Sequence, residues 1–102
     1  MGESTEAGAV PVERIQTGVR MEKRVLKVLK ALAEYKDMAL GDLLEGIVLH
    51  AFEGKPAFSA ETLGKIDGLR EIYGLRLTAA SSHRLVERDA QWAASPSTGR
   101  EE

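Results

Sequence analysis

No cysteine occurs among the 102 residues, which excludes a disulfide framework and any thiolate nucleophile or ligand. No apolar run approaches the ~20 residues needed to span a bilayer, and no basic segment followed by an apolar one marks the N-terminus. A soluble, cytoplasmic protein is the expectation. Histidine is scarce: His50 falls in a helical stretch and His83 in Ser81-Ser82-His83-Arg84. A metal site needs several ligands at a workable spacing, and nucleophilic catalysis needs a hydroxyl oriented by a base with a third group behind it. Neither pattern is legible, nor is a glycine-rich phosphate loop or an internal repeat. The expectation is a protein that is not an enzyme and uses no metal or cofactor, with His50 a packed or rim residue and His83 an exposed helix position.

What is present begins with charge. The net charge is only -2, but Arg14 to Lys36 holds seven basic residues against Glu22 and Glu34. That stretch carries a local excess of five positive charges, leaving the rest of the chain seven negative. Local sign decides what a surface attracts. The competing reading is that these lysines are simply the solvated face of a helix. Just ahead of them, Arg14-Ile15-Gln16-Thr17-Gly18-Val19-Arg20-Met21 alternates, polar at 14, 16 and 20 and apolar or β-branched at 15, 17 and 19. A period of two predicts a half-buried strand, and no convincing partner strand follows. A lone strand leaves its backbone groups unsatisfied unless it pairs with a second copy.

Three helices are predicted after it. The first runs from Glu22 to about Tyr35, with Val25, Leu26, Val28, Leu29, Leu32 and Ala33 at helical spacing. Lys36-Asp37-Met38-Ala39 permits only a tight connection to a second helix, Leu40 to Phe52, whose wide apolar surface implies wrapping by neighbours. Gly46 inside it marks either a close helix approach or a tolerated flaw. Gly54 and Pro56 end it; Ser59 caps a third helix, Ala60 to Tyr73, closed by Gly74, with Leu63, Ile66, Leu69 and Ile72 or Tyr73 as its stripe. Thr78 is a candidate cap for a fourth helix over 79–93, and Trp92, the only tryptophan, lies near the end. The ends, 1–11 and 95–102, read as a disordered arm and tail.

A short strand, a helix starting at once, a four-residue turn and a second helix resemble the ribbon-helix-helix family, which contains the Arc and methionine repressors. The likeness covers Arg14–Phe52, roughly 40 of 102 residues, with apolar core positions at Val19, Val25, Leu26, Val28, Leu29, Leu32, Leu40, Leu44 and Val48. It implies a mainly α fold: a homodimer with one intermolecular two-stranded antiparallel ribbon, built from a dimerisation and DNA-binding core over 12–54, plus a helical extension over 55–94. It further implies sequence-specific binding of double-stranded DNA through the major groove, as a transcriptional regulator. On the family pattern Gln16, Gly18 and Arg20 occupy the base-reading positions, with Arg14 as an additional DNA contact. Arg20 suits guanine O6 and N7 and Gln16 suits adenine N6 and N7, whereas Gly18 has no side chain to read with. Phosphate contacts would come from Lys23, Arg24 and Lys36 and from the backbone of Ala39, Leu40 and Gly41 at the second helix's start. That start lacks the family's Ser or Thr cap, and Asp42 places a negative charge beside it. A competing function keeps the same dimer but gives the extension to a partner protein, in the manner of an antitoxin.

Overall fold

The computed structural model describes residues 8–88. The arm expected over 1–11 lies mostly outside these residues. So do the end of the helix expected over 79–93, Trp92 and the tail over 95–102.

Three α-helices form, joined by short turns: α1 is Lys23–Tyr35, α2 is Leu40–Phe52 and α3 is Ala60–Tyr73. Each begins and ends for a local reason. Glu22 precedes α1, and its carboxylate accepts the Val25 backbone N–H at 2.8 Å, filling one of the donors a helix start leaves open. Past α1, Asp37 takes a left-handed conformation (φ 59°). Met38 then donates to the Ala33 carbonyl at 3.0 Å and Asp37 to that of Glu34 at 3.1 Å, the paired closure of a Schellman turn. Gly54 (φ 69°) repeats that closure after α2, with Lys55 donating to His50 and Gly54 to Ala51. Ser59 accepts from Thr62 N–H at 3.2 Å to start α3.

The buried centre is small. Leu32 of α1, only 1% exposed, meets Ala33 and Leu43, with Leu29, Ile47, Phe58, Ile66 and Leu69 packed around them. Val28 and Leu75 are the remaining buried apolar residues. Helix α1 is the hub, packing against both α2 and α3. Two cations brace its seam with α3: Lys65 sits 5.1 Å from the Tyr35 ring centre and Lys27 6.0 Å from that of Tyr73. Such pairs contribute about 0.5–1 kcal/mol each at exposed sites.

The ribbon expected from the alternating stretch is not there. Among the described residues no strand or bridge occurs, and no backbone–backbone hydrogen bond joins residues 9–21 to another described residue. The described residues therefore form a three-helix assembly preceded by an arm that is neither helix nor strand, and the β-ribbon architecture is corrected to that. The physical reason is that alternation fixes which way side chains face, while a strand exists only where a second backbone offers its N–H and C=O groups. Among the described residues no second segment presents its backbone to this stretch. Accordingly Ile15 and Val19, expected to point into a core, are 84% and 73% exposed. Val48 is also exposed within this chain.

Two further expectations change, and one of the two alternatives for Gly46 is removed. The fourth helix is a single 3-10 turn, Ala79–Ser81, followed by non-helical chain to residue 88. His83 consequently sits in left-handed backbone (φ 67°) and not on a helix. Gly46 marks no close approach, because a Cβ built on it meets nothing within 4 Å.

Gly64 and Gly68 of α3 likewise face open space and are exposed. Replacing both with alanine is expected to raise stability by about 1–2 kcal/mol, since a mid-helix glycine costs roughly 0.5–1 kcal/mol relative to alanine. Chemical denaturation followed by circular dichroism measures this, and an unchanged midpoint would mean α3 is not helical at those positions in solution.

Candidate nucleic-acid interface

The start of α1 and the chain that follows α3 enclose an open cleft of about 990 Å³. Arg20, Lys23 and Arg24, all in the basic stretch, line one side of it. Their convergence has a simple origin: Arg20 is the last arm residue but two before α1, while Lys23 and Arg24 are its first two residues. Arg24 is drawn towards the end of α3, where its Nε lies 3.7 Å from the position a Cβ on Gly74 would occupy. Gly74 is itself left-handed (φ 68°), which turns the chain back towards α1.

The other side is built by that returning chain. Leu75 is buried and donates its N–H to the Arg70 carbonyl at 2.8 Å, and Arg70 Nη2 donates to the Leu77 carbonyl at 2.9 Å. These anchors leave Arg76, between two inward leucines, exposed on the cleft. The 3-10 turn, closed by Ser81 N–H to the Thr78 carbonyl at 2.8 Å, redirects the chain so that Glu87 reaches the Arg20 guanidinium and forms an ion pair with it. Arg88 lines the cleft beside it.

Arg14 does something the sequence did not suggest. Its guanidinium forks onto Glu45 of α2, with Nη2 donating to Oε1 at 2.7 Å and Nε to Oε2 at 2.9 Å, and also reaches Asp42 at 3.1 Å. The arm is thereby tied to the first turns of α2. The hydrogen bond from Arg14 holds the Glu45 carboxyl below its usual range, and the same pairing raises Arg14. A lowered carboxylate contributes stability that is present above the unfolded value, near pH 4.3, and is lost as pH falls through the folded one. Glu45→Gln is therefore expected to flatten the acid limb of the melting temperature between about pH 3 and 5, leaving the neutral region's slope alone. Thermal melts of both proteins across that range test it; parallel acid limbs would show that the fork does not persist in solution.

The remaining sequence-derived sites are dispersed. Gln16 and Gly18 are exposed on the arm, and a Cβ at Gly18 meets nothing within 4 Å. Lys36 caps the far end of α1 and is exposed. Ala39, Leu40 and Gly41 form the start of α2, which has no side-chain cap. Asp42 there is offset by Arg14, so its charge does not act alone. The structure thus gathers Arg20, Lys23 and Arg24 in one place and keeps Arg14, Lys36 and residues 39–41 out of it. Arg76 and Arg88, as well as the Arg14 partners, had been missed. A brief Leu75-Arg76-Leu77 alternation was the one local signal; the other partnerships span 28, 31 and 67 residues and leave no trace in spacing.

His50 Nδ1 lies 2.7 Å from the Gly46 carbonyl oxygen of its own helix, and His83 is exposed. Among the described residues no group of three or more His, Cys, Asp or Glu side chains is placed to hold a metal. Among them, too, no helix is long and apolar enough to cross a membrane. Comparison with known protein families, curated proteins and solved structures finds no match.

Proposed function

We propose that this chain is a homodimeric, sequence-specific double-stranded DNA-binding protein that regulates transcription in the cytoplasm. The observation that carries the proposal is the convergence of Arg20, Lys23 and Arg24 on one cleft, directly continuous with an arm on which Gln16 is exposed. Guanidinium and ammonium groups gathered at a helix start suit phosphates, and an arginine and a glutamine on such an arm suit guanine and adenine edges. What remains of the likeness to ribbon-helix-helix proteins is the spacing of α1 and α2, which is compatible with this role.

Dimer formation is supported by apolar surface that is exposed among the described residues. Ile15 and Val19 on the arm and Leu49 and Phe52 on α2 are exposed, Phe52 by 80%. Five buried apolar side chains make a thin core for the described residues, and association is the usual remedy in so small a fold. A second reading, in which the extension docks a partner protein, draws on the exposed Leu63 and Ile72 of α3. Repeated purification of a homodimer alone would remove it.

The test is duplex binding by the full chain to its own upstream region, measured at two salt concentrations alongside sedimentation. A dimer whose affinity falls steeply with salt is expected. A monomer that ignores duplex DNA at low salt would refute the proposal.

A further inference from the structure

The segment that follows α3 brings two arginines to the cleft that the basic stretch alone does not predict. Five cations (Arg20, Lys23, Arg24, Arg76 and Arg88) line the cleft against the carboxylates of Glu22 and Glu87. Glu22 is occupied with the Val25 N–H at 2.8 Å. Glu87 is paired with Arg20, and that pair is mostly solvated, its side chains 82% and 59% exposed. We infer that the cleft is a phosphodiester-backbone site completed by Arg76 and Arg88, in which Glu87 holds Arg20 until a phosphate replaces it. This rests on the DNA-binding reading and extends the contact surface into a region outside the first two helices.

Several features favour a phosphate backbone as the occupant. The cations come from three separated pieces of chain yet share one concavity, and arginine forks match phosphate oxygens in pairs. The cleft is open, with a volume of about 990 Å³. It also adjoins the arm bearing Gln16, so a duplex read by that residue would carry its phosphates past Arg20 and Lys23. The 82–88 segment is tied to the 3-10 turn by hydrogen bonds from Ser82 to Ala79 and from Arg84 to Ser81 and Ala80, and to the arm by the Glu87 pair, while Leu85 and Val86 remain exposed. An exposed ion pair contributes little by itself, so exchanging a carboxylate for a phosphate on Arg20 meets a low barrier.

The experiment is fluorescence anisotropy with the full chain and a random-sequence duplex, because backbone contacts are independent of sequence. Arg76→Ala and Arg88→Ala are each expected to weaken binding several-fold and to lower the slope of log affinity against log salt by about 1. Glu87→Gln should strengthen binding by about 2–5-fold, the range of an exposed ion pair. That gain should vanish in an Arg20→Ala background, which separates release of Arg20 from a general change in charge. Lys55→Ala, just past α2 and outside the cleft, serves as the control, and melting curves confirm that each variant folds. Unchanged affinity and slope in the Arg76 and Arg88 variants, with Arg20→Ala still weakened, would overturn the inference and leave DNA binding standing. A Glu87→Gln gain that persists without Arg20 would overturn the masking role. If the wild type and Glu87→Gln both ignore duplex at low salt, the inference falls together with the DNA-binding reading.

Discussion

Leu32→Ala is expected to remove about 3–4 kcal/mol from the unfolding free energy and to leave a substantial fraction of the chain unfolded at 37 °C. Leu32 is the largest fully buried side chain among the described residues, and it sits where all three helices meet, against Leu43, Ile66 and Leu69. Removing it loses the transfer free energy of three carbons and leaves a cavity that helices joined by short turns cannot readily close; such changes cost about 2–5 kcal/mol. Small domains hold only ~5–15 kcal/mol in total, so the loss is a large share. Val28→Ala, nearer the end of the packed region, should cost less. Urea denaturation at two protein concentrations measures both, and a midpoint that rises with concentration would show that a second copy contributes to the same equilibrium. A loss below about 1 kcal/mol for Leu32→Ala would mean the centre of the fold lies elsewhere.

The other large effect concerns Gln16 and Arg20. If they read bases, each alanine replacement should cost ~1–3 kcal/mol on a selected operator, and much less on a random duplex. In a homodimer the loss is taken twice, so Arg20→Ala alone is expected to abolish detectable specific binding at physiological salt. Arg20 has a second possible action, since it faces the cleft and pairs with Glu87. As a phosphate ligand it would instead weaken every sequence alike and reduce the salt slope by about 1. Comparing operator and random duplex for Arg20→Ala and Gln16→Ala distinguishes these. Loss on the operator alone makes Arg20 a base reader; equal losses on both make it a backbone contact. No loss on either would remove Arg20 from the interface. Gly18, with open space around it, offers a useful gain-of-contact partner, because Gly18→Arg adds a reader without displacing a neighbour.

The sequence by itself determined the three α-helices, while the fourth helix it suggested over 79–93 is a single 3-10 turn within the described residues. Leu40–Phe52 and Ala60–Tyr73 follow from apolar spacing bounded by Gly54, Ser59 and Gly74, and α1 from its stripe ending in the turn at Asp37. These signals are local, acting within one turn, so adjacent residues suffice to show them. Only the tertiary structure decided what the alternating stretch becomes. Period two in residues 14–20 was real as a pattern, yet a strand needs hydrogen-bond partners, and the described residues supply none. Without them the arm is held instead by the fork from Arg14 to Asp42 and Glu45. The candidate site divides the same way. Lys23 and Arg24 were legible because they neighbour one another at a helix start. That Arg20 faces Glu87, and that Arg76 and Arg88 share its cleft, depends on how a buried Leu75 and a left-handed Gly74 turn the chain back across α1. Contacts between residues so far apart in sequence are fixed by packing, and packing is decided by the whole fold.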